Sequence, residues 1–175
     1  MILGGRNHHG KLMVYKNMTD IDLTMLNGTH RNFNEFAGKT VLVVNVASRC
    51  GLSPQYEALE ELQKKYADRG FTVLGVPSNQ FLQELKTSDD ISEYCSTTWG
   101  VTFPMTEKAN VNGKSRHPLY KDLVKTKDAA GMAGPVLWNF EKFLILPDGS
   151  IHRFRPTTKP DAPEIVALIE ANLSK

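Results

Sequence analysis

The chain has 175 residues, of which 41% are hydrophobic and 23% charged, and its formal net charge at pH 7 is +2. These values are typical of a soluble globular protein, and no apolar run is long enough to cross a bilayer. The first 17 residues hold three basic and no acidic residues, which leaves 18 basic against 19 acidic residues in the rest. The near-neutral remainder offers no basic face for nucleic acid or for an anionic membrane.

Residues 1–17 are predicted to be a flexible N-terminal extension, and residues 18–175 a single domain. The extension lacks the apolar core of a secretory signal peptide. The two cysteines, Cys50 and Cys95, form no CxxC motif, which disfavours both a disulfide-stapled secreted scaffold and a structural zinc site. The composition therefore predicts a reducing compartment, the cytoplasm, and neither a metal nor another cofactor.

The hydrophobic pattern of the N-terminal half predicts alternating strands and helices. Residues 21–33 are expected to form a hairpin with a tight turn at Asn27–Gly28. The apolar run 41–48 does not alternate, which is typical of a central strand, and helically spaced apolar residues follow it in 55–69. A second apolar strand at 71–78 completes a β-α-β unit with parallel strands.

The C-terminal half continues the same alternation. Its predicted elements are a helix at 88–98, an extended segment at 101–113, a helix at 117–127, a hairpin at 139–156 and a closing helix at 162–175. The order of elements predicts an α/β, thioredoxin-like fold. In that fold a central mixed sheet is flanked by helices on both faces, and here an N-terminal hairpin precedes it.

Cys50 stands between the predicted strand 41–48 and the predicted helix 55–69. At such a junction backbone N–H groups converge, the helix dipole favours negative charge, and the neighbouring Arg49 adds a positive charge. The position therefore favours a thiolate. The ordinary alternative is a buried cysteine at a strand end that has no chemical role.

Three segments resemble the signature segments of the glutathione peroxidase family: NVASRCG at 45–51, LGVPSNQF at 74–81 and WNFEKFL at 138–144. The shorter matches TFPM, VNG and HPLY follow in family order, and the resemblance covers roughly residues 20–175. It implies a peroxidase that reduces hydrogen peroxide and organic or lipid hydroperoxides through a cysteine thiolate.

The resemblance also implies a catalytic tetrad of Cys50, Gln80, Trp138 and Asn139. Cys50 is expected to be the peroxidatic nucleophile, whose attack on a peroxide oxygen leaves a sulfenic acid. The N–H groups of the other three side chains are uncharged donors that can stabilise the thiolate and the departing oxygen. Singly, these three residues are more often surface, core and turn residues, so the assignment depends on their occurrence together in family order.

Cys95 lies in ISEYCSTTWGVTFPM and resembles the resolving cysteine of family members that use thioredoxin. Its attack on the Cys50 sulfenic acid would give an intramolecular disulfide, which thioredoxin reduces. The family implies that the helix unwinds locally in this step, and the serine and threonines after Cys95 are weak helix formers. The structural alternative is a buried cysteine on a helix face.

The chain departs from the family pattern at three places. Ser78 stands where a cysteine is common, the run after NQF lacks its usual glycine, and the DAAGMAGPVL connection (128–137) is short where tetrameric members carry an insertion. The short connection predicts a monomer with an open site, accessible to bulky peroxides and to a protein reductant.

Two other functions remain open at this point. The first is a peroxidase that uses glutathione as its reductant, which Cys95 and the short connection disfavour. The second is a non-catalytic thiol redox sensor that passes its disulfide to a partner protein. A copper-delivering thioredoxin-like protein is rejected, because no CxxxC motif follows Cys50.

Overall fold

The computed structural model describes residue 18 and residues 20–174, so the predicted extension at 1–17 lies outside the described residues. The strands are β1 (Asp22–Thr24), β2 (His30–Asn32), β3 (Thr40–Val46), β4 (Phe71–Pro77), β5 (Lys142–Ile145) and β6 (Ile151–Phe154). The α-helices are α1 (Gln55–Tyr66), α2 (Ser88–Tyr94), α3 (Pro118–Leu123) and α4 (Pro163–Ala171). Among the described residues, no helix has the length and apolar character needed to cross a membrane.

Four strands form one mixed sheet in the order β4-β3-β5-β6. β3 runs parallel to β4 and antiparallel to β5, which runs antiparallel to β6. The register places Val44 of β3 between Gly75 of β4 and Lys142 of β5. β1 and β2 pair separately as an antiparallel hairpin. The predicted mixed sheet and N-terminal hairpin are confirmed.

β3 separates two apolar cores, and all seven of its residues are buried. Because successive side chains of a strand point to opposite faces, Leu42, Val44 and Val46 pack against α1 and α4, whereas Val41 and Val43 pack against α3 and the hairpin. Coverage on both faces explains why this strand is apolar at most positions, without the alternation of a half-exposed strand. It also confirms that helices flank the sheet on both sides.

The second predicted helix changes its hydrogen bonding part of the way along. It is α-helical over Ser88–Tyr94 and continues as a π-helical turn over Cys95–Trp99. The side-chain hydroxyls of Ser96 and Thr97 both donate to the carbonyl of Glu93, at 3.2 and 2.7 Å. Such side-chain bonds compete with the regular helical pattern, which is the physical reason for the wider turn.

The last predicted hairpin forms, but its first strand begins at Lys142 rather than at residue 139. The reason is Phe140, whose φ of +67° is left-handed and incompatible with a strand. Residues 138–141 therefore make a turn that leads into β5, an interior strand of the sheet. This turn, called the donor turn below, carries two of the predicted tetrad residues.

Candidate active site

Cys50 lies in the turn between β3 and α1 and exposes 6% of its surface. The backbone N–H of Leu52 donates to its Sγ at 3.3 Å, and the N–H of Ser53 donates to its carbonyl at 3.0 Å. α1 begins at Gln55, so the sulfur lies one turn ahead of the helix. The donor at the sulfur is therefore an amide of the turn itself.

The loop after β4 is bonded to the turn that carries the thiol. Glu84 Oε1 accepts hydrogen bonds from the N–H and the hydroxyl of Ser48, at 2.9 and 2.6 Å, and from the N–H of Leu85. The backbone carbonyl of Gln83 accepts from the N–H of Arg49 at 2.8 Å. Burial raises the pKa of the Glu84 carboxyl, while its bonds to Ser48 and Leu85 lower it. Its Oε2 is buried without a hydrogen-bond partner.

Trp138 and Asn139 stand next to each other in the donor turn. Asn139 is fully buried; its Nδ2 donates to Gln83 Oε1 at 3.0 Å, and its Oδ1 has no hydrogen-bond partner. The ring of Trp138 is 39% exposed and packs on Phe81, with the ring centroids 5.2 Å apart. Orphaned buried acceptors are uncommon in proteins, and functional sites are one place where they occur.

Gln80 binds a different part of the molecule. Its Oε1 accepts from the backbone N–H groups of Val111 and Asn112 at 2.7 and 2.8 Å, and its Nε2 donates to the Asn112 carbonyl at 3.0 Å. The glutamine whose side chain reaches Asn139 is Gln83. Sequence reasoning placed Gln80 in the tetrad and did not consider Gln83, the second glutamine in the altered run that follows NQF. The catalytic role of Gln80 stays a prediction, but its geometry is that of a loop anchor.

Cys95 begins the π-helical turn and exposes 3% of its surface. Both it and Cys50 are free thiols. Burial raises the pKa of the Cys95 thiol to about 11; the neighbouring Tyr56 hydroxyl lowers it, and the negative charge of Glu84 raises it. The thiol is therefore protonated, and a poor nucleophile, at neutral pH.

Tyr56 of α1 packs between the segment of Cys95 and the donor turn. Its buried ring contacts the rings of Tyr94, Trp99, Phe103 and Phe140, with centroid separations from 5.4 to 6.4 Å. Its hydroxyl makes no hydrogen bond of ordinary geometry, but it lies close enough to the Cys95 thiol to lower the pKa of that thiol. A single ring therefore contacts both the segment that holds Cys95 and the residue that follows Asn139.

A cavity of about 420 Å³ adjoins the turn that carries the thiol, and its lining includes Gly51, Leu52, Thr157 and Pro160. No group of three or more His, Cys, Asp or Glu side chains in the described part of the chain could hold a metal ion.

Comparison with known proteins identifies a family that this chain resembles. The family model described as "Glutathione peroxidase" matches residues 18–124. The chain is 46% identical to the thioredoxin/glutathione peroxidase BtuE of Escherichia coli, with 86% of this chain and 93% of that protein covered. It is 47% identical to the hydroperoxy fatty acid reductase gpx1 of Synechocystis, with 83% and 89% covered.

Solved structures agree in fold. A crystal structure of Trgpx in its apo form is 36% identical and superposes with a TM-score of 0.67, covering 90% of this chain and 98% of the other. A thioredoxin-family thiol:disulfide interchange protein from Chlorobium tepidum is only 18% identical but reaches a TM-score of 0.62, with 88% and 93% covered. The second similarity concerns the fold alone and confirms that it is thioredoxin-like.

Proposed function

The chain belongs to the glutathione peroxidase family, and we propose that Cys50 is the thiol with which this peroxidase reduces hydroperoxides. One observation carries the assignment. The backbone carbonyl of Gln83 accepts from Arg49, next to the thiol, while its side chain accepts from Asn139. One residue thus joins the turn of Cys50 to the donor turn, although the two are far apart in sequence.

The reaction at Cys50 requires a thiolate and donors for the oxygen that leaves. The thiolate attacks one peroxide oxygen, the O–O bond breaks, and the departing alkoxide or hydroxide takes a proton to become alcohol or water. Cys50 is left as a sulfenic acid, oxidised by two electrons. The indole N–H of Trp138 makes no hydrogen bond to another described residue, so it is available to the substrate. The amide of Asn139 lies beside it and completes a set of preorganised neutral donors.

We assign the glutamine of this donor set to Gln83 rather than to Gln80. All the side-chain hydrogen bonds of Gln80 go to the backbone of residues 111–112. The Oε1 of Gln83 is bonded to Asn139, and its Nε2 has no other partner among the described residues. In this arrangement Gln83 both orients Asn139 and has an N–H group left for the peroxide.

Cys95 is proposed as the resolving thiol. The sulfur of Cys95 attacks the sulfur of the Cys50 sulfenic acid, a disulfide forms, and the hydroxyl leaves with the thiol proton as water. In the reduced protein the buried Cys95 is protonated, so it becomes reactive only when the Cys95–Trp99 turn opens. A dithiol protein of the thioredoxin type then reduces the disulfide, which agrees with the name of the relative from Escherichia coli.

The substrate class extends to hydroperoxides with long apolar chains. The large hydrophobic side chains that are exposed among the described residues are Leu82, Met132, Leu137 and Trp138. They belong to two loops, and these loops meet where Phe81 packs on Trp138. Exposed apolar surface beside a reactive thiol suits an acyl chain, as the relative named hydroperoxy fatty acid reductase suggests.

We further propose that residues 18–175 act as one domain, monomeric and cytoplasmic. The connection at 128–137 is short, and the two thiols need a reducing compartment to be recycled. Sedimentation at micromolar concentration tests the monomer, and a stable tetramer would contradict it.

One assay tests the proposed function as a whole. Peroxide consumption is measured with thioredoxin and its reductase, and separately with glutathione and its reductase, using hydrogen peroxide and linoleic acid hydroperoxide. We expect sustained turnover of both peroxides with thioredoxin and little with glutathione. Faster turnover with glutathione would identify a glutathione-dependent enzyme. Disulfide transfer to another protein without turnover would identify a sensor.

A further inference from the structure

Lys142, the first residue of β5, is fully buried. Within the described residues it forms no salt bridge, because the neighbouring Glu141 carboxylate is bound by Arg153 and Arg155. Instead, its Nζ donates to two backbone carbonyls: that of Phe140 at 2.6 Å and that of Pro156 at 2.9 Å. A buried ammonium without an ionic partner is unfavourable, so its two hydrogen bonds must offset the cost of removing the charge from water.

The first carbonyl belongs to the donor turn. Phe140 is a bulky residue in the left-handed region, a conformation that persists only when its surroundings impose it. The peptide N–H of Phe140 donates to the carbonyl of Asn45 at 2.6 Å, while its own carbonyl is held by Lys142. The Asn45 side chain also bonds to the carbonyl of Trp138, at 3.2 Å. Hydrogen bonds from both Lys142 and Asn45 therefore fix the backbone of the donor turn.

The second carbonyl connects the same lysine to the thiol. Pro156 accepts a hydrogen bond from Nε2 of Gln55 as well, at 2.9 Å. Gln55 is the first residue of α1, immediately after the turn that carries Cys50. The ammonium of Lys142 is thus bonded to the donor turn through the Phe140 carbonyl. Through the Pro156 carbonyl, which also accepts from Gln55, it is linked to the start of α1, next to the Cys50 turn.

We propose that Lys142 is a positioning residue that fixes Trp138 and Asn139 relative to Cys50, and that loss of its charge slows the attack on peroxide. The inference rests on Cys50 being the peroxidatic thiol. A protonated lysine makes charge-assisted hydrogen bonds, which are roughly twice as strong as those of a neutral amine. A neutral lysine keeps both carbonyls in reach but holds the donor turn less firmly.

The charge of Lys142 changes in the physiological range. Burial lowers the pKa of Lys142 to about 7, and the charge of Glu141 opposes this change. The residues that flank it across the sheet, Val44 and Phe154, carry no titratable group, and neither does Gln55. The positioning effect is therefore strongest below pH 7 and weakens as the pH rises through that value.

The test compares two reactions of the same sulfur in the intact protein. The rate constant of Cys50 with hydrogen peroxide is divided by its rate constant with iodoacetamide, with the Cys50 peptide followed by mass spectrometry between pH 6 and pH 8. Both reactions need the thiolate, but only the peroxide needs the donor turn. The ratio therefore reports positioning and cancels the ionisation of the thiol.

We expect the wild-type ratio to fall severalfold between pH 6 and pH 8. In Lys142→Met the ratio should be about tenfold lower at pH 6 and independent of pH, because small misplacements of catalytic groups are costly. The exposed Lys121, changed to methionine, is the matched control and should behave as wild type. A ratio in Lys142→Met equal to that of wild type would overturn the proposal.

If Lys142→Met does not fold, Lys142→Arg, which keeps a permanent positive charge, tests the proposal instead. Its ratio should not fall as the pH rises, and a fall as large as that of wild type would refute the role of Lys142. If wild-type Cys50 does not react with peroxide at all, the proposed function itself fails, which is a distinct result.

Discussion

Gln80 and Gln83 are separated by two residues, yet their side chains bind different parts of the molecule. Gln80 is bonded to the backbone of Val111 and Asn112, and Gln83 is bonded to Asn139. The two glutamines form a natural pair of matched variants, because each can be truncated in the same loop with the same loss of atoms.

Gln83→Ala should slow the reaction of Cys50 with peroxide by about 10²-fold, the usual effect of removing one preorganised donor. Gln80→Ala should change that rate only severalfold, through loosening of the 111–112 segment. Stopped-flow measurement of tryptophan fluorescence under peroxide checks both. The opposite ranking would return Gln80 to the tetrad and remove Gln83 from it.

Replacing each cysteine in turn should separate the reduction of peroxide from the recycling by thioredoxin. Cys50→Ser should abolish peroxide reduction. Cys95→Ser should leave the first attack nearly intact but end cycling with thioredoxin, and Cys50 should then progress to sulfinic acid under excess peroxide. Mass spectrometry of the Cys50 peptide measures this. Continued thioredoxin-driven cycling of Cys95→Ser, without a Cys50–Cys95 linked peptide in wild type, would favour a one-cysteine mechanism.

Leu82→Gly should raise stability and lower activity toward long-chain substrates. Leu82 has a φ of +62° and is 85% exposed, so its backbone is strained and its side chain contributes little packing. Left-handed backbone costs a non-glycine residue roughly 1–2 kcal/mol, of which the greater flexibility of unfolded glycine cancels about half. Thermal unfolding should shift upward, while kcat/KM for linoleic acid hydroperoxide falls relative to that for hydrogen peroxide.

An equal change of kcat/KM for both peroxides would remove Leu82 from the substrate surface. Leu137→Gly would be a poor comparison, because it also alters the residue next to Trp138. Lys86→Gly provides a control in the same loop for the effect of adding a glycine.

Lys142 should also make stability depend on pH. Its pKa is about 7 in the folded protein, against an ordinary value of 10.5, so the unfolded chain binds more protons between these pH values. The free energy of unfolding of wild type should therefore rise across this window relative to Lys142→Met, by an amount on the order of a few kcal/mol. Below pH 7 the penalty for burying the charge is fully present. Urea unfolding of both proteins at pH 6.5 and pH 9.5 measures the difference, and parallel curves would show that the lysine does not titrate in this range.

The fold was predictable because its strongest signals are local. The nearly continuous apolar run that forms β3 indicates burial on both faces, and helical spacing after Cys50 indicates α1. The order of the family motifs then placed the thiol and the Trp138–Asn139 pair. These features depend only on residue type and on spacing along the chain. Both can be read from the sequence without knowing the path of the backbone.

The details of the site were not predictable, because they depend on the path of the backbone. Gln83 follows the left-handed Leu82 in the loop after β4, and from there its side chain reaches Asn139. The hydrophobic pattern of β5 does not reveal that Lys142 is buried. Its buried position depends on the donor turn at Phe140, whose carbonyl the lysine binds. The π-helical turn at Cys95 arises from competition by side-chain hydroxyls, and the sequence indicated only that this segment was a weak helix.

If Cys95 is the resolving thiol, the opening of the π-helical turn at Cys95–Trp99 limits how long oxidised Cys50 waits for its partner. With Cys95 as the resolving thiol, the lifetime of the sulfenic acid is governed by how often residues 95–99 open, rather than by thiol chemistry. During that interval a second peroxide molecule competes with Cys95 for the oxidised sulfur. Substitutions that convert the segment into a regular helix would therefore stabilise the fold and make Cys50 more susceptible to over-oxidation by peroxide. On the proposed mechanism, the irregular helix therefore favours disulfide formation over further oxidation of Cys50, at a cost in local stability.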